Sequence, residues 1–486
     1  MREILRGVLT LAILVSLVGL GAAQPGIPKE KIPPDMPSRI KAAVEDLYST
    51  DAATRAQAAI KLGELEGQAE PAIPYLVELL SDDQGVELTI TGADITNSTS
   101  PGIEAAVALG RIGPAALAPV LAALKDKNAK VRLLAAAALE EMANPKAVAP
   151  LIDALQDPHA DVQATAARAL GQINDPQAVA PLIKALQDKN AGVRASAVFA
   201  LAEIGDIKAA PAITKALKDE DPKVRRLAVL ALGEIKDPKA LPAMMAALTD
   251  KNAEVRAGAA WALGEMGDPK ALKPLLDALK DSDPQVRGEA VAALGMLKNP
   301  RAEDAMVALL KDSDQSVRLQ AMKALGELGS RKAVKPLMEA AKEDKSSVKS
   351  AAALALGRIG DPQAGRVLLP LLQDDHPYVR GVAANALGQM RLFRAVRPLV
   401  ATLHDKDPLV RYNAVVALGQ IGYPQAVRPL ILSLKDENSC IREAAAISLQ
   451  EITGKSFAQD QAQWNKYWED NKETYLSSCA KGLCKH

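Results

Sequence analysis

Residues 188–218 read DKNAGVRASAVFALAEIGDIKAAPAITKALK, and residues 219–249 read DEDPKVRRLAVLALGEIKDPKALPAMMAALT. The second stretch restates the first: Arg194 falls on Arg225, Ala197 on Ala228 and Leu201 on Leu232. Within one stretch, Val193, Ala197, Ala200, Leu201 and Ile204 stand at i, i+4, i+7, i+8 and i+11, the apolar stripe of an amphipathic helix. A second apolar run follows in each repeat, as in Ala178–Leu186, with Pro181 in its first turn, where no intrahelical donor is lost. Outward from here the Val-Arg pair recurs with Arg at 132, 194, 225, 256, 287, 318, 380 and 411, and Ile441-Arg442 follows. All intervals are 31 or 62 residues, and the two empty slots hold Gln163 and Lys349. No insertion interrupts the register between 132 and 442.

Start signals agree with two helices per repeat. Asn190, Asp221, Asn252, Asp283, Asp314, Asp407 and Asn438 share one column, as N-caps do. Asp175-Pro176, Asp237-Pro238, Asp268-Pro269 and Asp361-Pro362 open the other helix, after C-cap candidates such as Gly267 and Gly360. Two helices of about 11 residues fill a repeat. Neither buries its apolar face alone, so stacking on neighbours is obligatory. The expected fold is all-α, an α-solenoid of about 12–13 stacked antiparallel helix pairs.

These columns resemble the HEAT-repeat family in its short, phycobilisome-lyase-like form, over roughly residues 39–453. An exported bacterial HEAT-repeat protein is the nearest description. The family places an Asp in the turn and an Arg six residues on, here Asp188/Arg194, Asp219/Arg225, Asp250/Arg256, Asp281/Arg287 and Asp312/Arg318, with Asp126/Arg132, Asp374/Arg380, Asp405/Arg411 and Asp436/Arg442 beyond. The resemblance implies a structural ladder of charge-assisted hydrogen bonds between adjacent repeats. Asp157/Gln163 and Glu343/Lys349 depart from it, so repeats 157–187 and 343–373 are expected to be the softest links. The resemblance is nearly silent on activity.

Composition sets further limits. The chain has 486 residues, 49% apolar but only 3% aromatic, and 59 basic against 59 acidic side chains. It is too apolar for a disordered polyelectrolyte. It lacks the basic excess and the stacking rings of a nucleic-acid binder, so no nucleic-acid partner is expected. Three Cys form no disulfide scaffold.

The ends differ from the array. Residues 1–23 read as a secretory signal: Arg2 and Arg6, an apolar run from Val8 to Leu20, then Gly21-Ala22-Ala23 before Gln24. An uncleaved anchor through residues 7–22 is the alternative, and only that would place the chain at a membrane. The expected location is periplasmic or extracellular. No second apolar stretch reads as long enough to span a bilayer. Residues 24–38 read as a Pro-rich linker. Residues 39–125 form irregular repeats interrupted by a β-prone insertion at 84–101, read as a binding loop, a hairpin or a plain surface loop. Regular repeats fill 126–453. Residues 454–486 carry Trp464, Tyr467 and Trp468 at i, i+3, i+4, the stripe of an end cap, and Cys479 and Cys484, a local disulfide in an exported chain.

No catalytic constellation emerges. The four His (His159, His376, His404 and His486) are not followed by Glu, and the paired His-Glu iron motifs of HEAT-type hydroxylases are missing. His159 and His376 fall in the N-cap column. Cys440 reads as a lone packed thiol. The tail CAKGLCKH fails the Cys-x-x-Cys-His spacing of haem attachment. No metal, cofactor or catalytic residue is expected. What remains is surface. Phe199, Leu230 and Trp261 share one column on the helix face opposite the core, edged by Glu203, Glu234 and Glu265, with Gly233 and Gly264 leaving room alongside. This patch reads either as a protein- or peptide-binding groove on the concave face or as a column that curvature buries between repeats. The function read from this is a monomeric, non-enzymatic interaction scaffold. A lyase- or chaperone-like accessory factor and an envelope spacer are the alternatives.

Overall fold

A computed structural model describes residues 27–89, 96–343 and 345–480. Along these residues thirteen short helices each precede a long one, from Ser38–Asp46 and Ala52–Glu64 to Val427–Ser433 and Ser439–Thr453. A regular long helix has 13 to 15 residues, such as Ala191–Ile204. Its partner has only six or seven, such as Val179–Ala185, and follows a three-residue 3-10 turn, Pro176–Ala178. The two helices are therefore unequal rather than about 11 residues each. The cause is local. The Asp175 carboxylate accepts from the Gln177 N–H at 2.8 Å and Pro176 fixes φ, which tightens the entry into a 3-10 turn. Long helices start on the expected caps; Asn190 Oδ1 accepts from the N–H groups of Gly192 (2.8 Å) and Val193 (3.3 Å). Many end on a left-handed residue, Gly267 (φ 66°) and Gly360 (φ 74°) among them.

The chain divides into two compact units between Ala247 and Leu248. In each, long helix packs on long helix through the small columns. Ala197, Leu201, Ala228 and Leu232 are fully buried in the first unit, and Ala290, Leu294, Ala321 and Leu325 in the second. Gly264 does not clear space beside a groove, as its column suggested. A Cβ there would lie 2.8 Å from the Ala293 Cα, so the glycine sets helix-to-helix approach. Gly357 stands likewise 2.8 Å from the Ala386 Cα.

The Asp and Arg columns meet across repeats. Arg132, Arg194, Arg256, Arg287, Arg380 and Arg411 each fork onto the Asp of the following repeat, 25 residues on. Arg194 Nε and Nη2 donate to Asp219 at 2.7 and 2.7 Å. Arg256 does the same to Asp281 (2.7 and 2.7 Å), and Arg287 to Asp312 (2.8 and 2.7 Å). The Asp six residues back is met through its carbonyl: Arg194 Nη1 donates to Asp188 O at 2.9 Å, Arg225 to Asp219 O and Arg256 to Asp250 O at the same distance. The carboxylate also caps its own turn, as Asp281 does for the Asp283 N–H (2.9 Å). One Asp thus joins three segments. The Arg256 and Arg287 bonds hold the Asp281 and Asp312 carboxyls below their ordinary value; for Asp219, burial pushes upward but the Arg194 bond, the Asp221 N–H bond and the neighbouring guanidinium charges together outweigh it.

The two missing forks both border the repeats expected to be soft, 157–187 and 343–373. Asp157 is bound by Arg132 (2.6 and 2.9 Å), so Gln163 deprives Asp188 instead, which keeps the Asn190 N–H bond. Lys349 still bonds Asp374 at 2.7 Å, through one contact rather than a fork. Among the described residues Arg318 reaches only the carbonyls of Asp312 (2.9 Å) and Ser313 (3.4 Å); Glu343, in the Asp slot, is exposed and forms no ion pair with it. One rung was missed by the periodicity. Arg55 in the irregular first repeat donates to Asp82 at 2.6 Å, both side chains buried.

At the ends, residues 27–37 are not a bare linker: Ile32 and Met36 are buried and Tyr48 donates to the Ile27 carbonyl. The insertion is an antiparallel hairpin, β1 (Val86–Thr89) with β2 (Thr96–Thr99), Val86 opposite Thr99. The segment Pro101–Ala123 does have the length and hydropathy of a membrane span, contrary to the sequence reading. It is two helices of a repeat, broken at Gly113 (φ 79°), with half of its apolar window buried. At the other end, helix Gln461–Ala480 packs on Val427–Ser433 of the last repeat. Trp464 is fully buried, its indole N–H donating to Ala458 O at 2.9 Å, and Phe457 meets it edge-on at 4.8 Å.

Candidate interaction surface

The long helices turn one face away from the core, carrying the columns of residues 192, 196, 199 and 203. This i, i+4, i+7, i+11 set is one side of a helix. In the first unit that face is closed. Phe199 and Leu230 are 8% and 6% exposed. Between them, with Glu203 and Glu234 at the edge, a crevice of only about 10 Å³ remains, room for at most one water. Of the two readings of this column, burial between repeats holds for Phe199 and Leu230. Large apolar side chains in successive repeats close over each other. Trp261, in the second unit, stays half-buried. Glu203, Glu234 and Glu265 all have interaction partners.

The same face opens further along the second unit. Leu354, Tyr378, Val382, Asn385, Leu409 and Asn413 line a groove of about 370 Å³ across the long helices Ser346–Ile359, Pro377–Gln389 and Pro408–Ile421. Tyr378 and Leu409 are 54% and 52% exposed, and Tyr412 beside them is 38% exposed. The groove exists because its middle is small and polar. Gly381 gives the floor no side chain, and a Cβ there would already lie 3.2 Å from Asn413 Nδ2. Asn385 occupies the Phe199 column six 31-residue repeats further on, and cannot close an apolar lid. No lining residue is charged. The column expected from the sequence lies on this face, but the open groove falls in later repeats than Phe199, Leu230 and Trp261. Its signal was present in Leu354, which belongs to the Phe199 column, and in the adjacent Tyr378 and Leu409 column.

Among the described residues no cluster of three or more His, Cys, Asp or Glu is placed to hold a metal. His376 caps its helix, Nδ1 accepting from the Tyr378 N–H at 3.3 Å, and His159 lies 3.2 Å from Arg132 Nη2. Cys440 is exposed in the first turn of its helix, not packed, because the column it occupies is the open one. Cys479 has no described side chain, and Cys484 and residues 1–23, expected to be a secretory signal, lie outside the described residues.

Comparison with known proteins agrees with the fold. A HEAT-repeat family model matches residues 102–161, 148–219, 210–282, 272–357, 303–388 and 365–450. No curated protein matches the sequence. Among solved structures, importin beta is similar at 15% identity over 90% of this chain and 69% of that one, with a TM-score of 0.62. The Kap95:Nup1 complex gives 14% identity over 86% and 67%, with a TM-score of 0.60. The CpcE–CpcF complex of phycocyanin lyase from Nostoc sp. PCC7120 gives 23% identity over 50% and 94%, but a TM-score of only 0.32. With its repeat columns, its stacked short–long helix pairs and a family match running from 102 to 450, the chain belongs to the HEAT-repeat family.

Proposed function

We propose that this protein is an exported, non-enzymatic scaffold that binds an uncharged, apolar segment of a partner protein in the groove around Tyr378 and Leu409. The observation that carries this is a chargeless groove in a chain with 24% charged residues. Apolar walls give such a segment its burial energy, and Asn385 and Asn413 offer donors and acceptors to its backbone. The similar fold in the Kap95:Nup1 complex supports a protein partner rather than a small molecule. Export rests on residues 1–23.

Selection from a random peptide library by the mature chain tests the reading. Neutral, apolar peptides are expected to be enriched. Leu409→Asp should weaken their binding at least tenfold while circular dichroism stays unchanged, since Leu409 is half exposed. Enrichment of charged peptides, or binding untouched by Leu409→Asp, would refute it.

A further inference from the structure

The hairpin in the first unit leaves a cavity beneath it. Between β1, β2 and the long helices Ala52–Glu64 and Pro101–Ile112 lies a space of about 340 Å³, within the range of small-molecule sites. Its floor is one helix face, Glu104, Val107 and Ala108 at i, i+3 and i+4, with Arg111 at i+7 on the rim. Ile60 from the neighbouring helix and Leu88 from β1 make the apolar walls.

Glu104 is the exception inside those walls. Its Oε1 accepts the Thr99 hydroxyl at 2.7 Å, and Thr99 itself is 6% exposed. No cation forms an ion pair with Glu104 among the described residues. Arg111, two helical turns on, stands exposed at the rim and only lowers the Glu104 pKa from a distance. Burial outweighs both influences and raises that pKa. A largely buried carboxylate in an apolar wall, with no cation paired to it, bears a desolvation cost that a bound ammonium would offset.

We propose that this cavity is a binding site for a small apolar amine, its alkyl part against Ile60, Leu88 and Val107 and its ammonium on the free oxygen of Glu104. The site is independent of the groove at Tyr378, and neither proposal depends on the other.

Calorimetric titration of the full chain at neutral pH, with n-hexylammonium, hexanoate and 1-hexanol as probes, tests this. Hexylammonium is expected to bind at least tenfold tighter than either comparator. Glu104→Gln should remove that preference, and Val107→Phe should fill the cavity and abolish binding, both with unchanged helix content. Tighter binding of hexanoate would make Arg111 the anchor and overturn the proposal. Equal binding of hexanol, an unaffected Glu104→Gln variant, or no binding of hexylammonium would overturn it as well.

Discussion

At the scale of single residues, the columns of the repeat have unequal consequences. Lys298 ends its long helix at φ 49°, where Gly267 and Gly329 stand in equivalent turns. A side chain in that left-handed conformation costs about 1 kcal/mol, part of which glycine returns through its unfolded-state freedom. Lys298→Gly is therefore expected to stabilise the protein by up to about 1 kcal/mol, read as a higher urea midpoint. The ladder arginines separate in the same way. Arg256 makes two bonds to a largely buried Asp281, so Arg256→Ala should cost about 2 kcal/mol. Arg318 has no carboxylate to lose, and Arg318→Ala should cost distinctly less in the same denaturation series. Equal losses would show that the forks are not what stabilises the joints. Periodicity made these Asp and Arg columns legible. Their pairing over 25 residues was not, because it depends on how far one helix pair is displaced on the next.

At the scale of helices, close approach governs the packing. The Gly column touches the Ala column of the following long helix at the backbone, as at Gly357 and Ala386. Gly357→Val should push these helices apart and destabilise by several times the ~0.5–1 kcal/mol by which glycine is itself unfavourable in a helix. A thermal midpoint no lower than that of the parent would contradict this packing. The open face was legible as a face, since a 100° rotation per residue places its columns. Which repeats leave it open was not. Phe199 and Leu230 close over each other, while Gly381 and Asn385 fail to, and that outcome belongs to pairs of helices rather than to a column. The β-prone insertion was legible as a candidate hairpin, but not the cavity it roofs over Glu104.

At the scale of the molecule, the ladder ties stability to pH. Asp157, Asp219, Asp281, Asp312, Asp374, Asp405 and Asp436 all have carboxyls held below their ordinary value of 3.8. For a lowered folded pKa the unfolded chain binds the proton first. Their stabilisation is thus complete above the ordinary value and is lost as pH falls through the lower folded values. Unfolding monitored by circular dichroism should show stability flat near neutrality and falling steeply below about pH 4; a loss beginning near pH 6 would point to histidine instead. The zero net charge and the scarcity of aromatics share one origin with this behaviour. Each repeat adds an Asp, an Arg and a set of small apolar residues, and little room for rings.

The 25-residue reach of each Arg–Asp fork also has a mechanical meaning. A chain drawn out by its ends would open one rung at a time, releasing a repeat of 31 residues, roughly 100 Å of slack at about 3.3 Å per residue. Arg318 without its carboxylate and Asp188 without its guanidinium then act as fuses. Extension would begin there under the smallest load, while the fully forked stretches kept their shape.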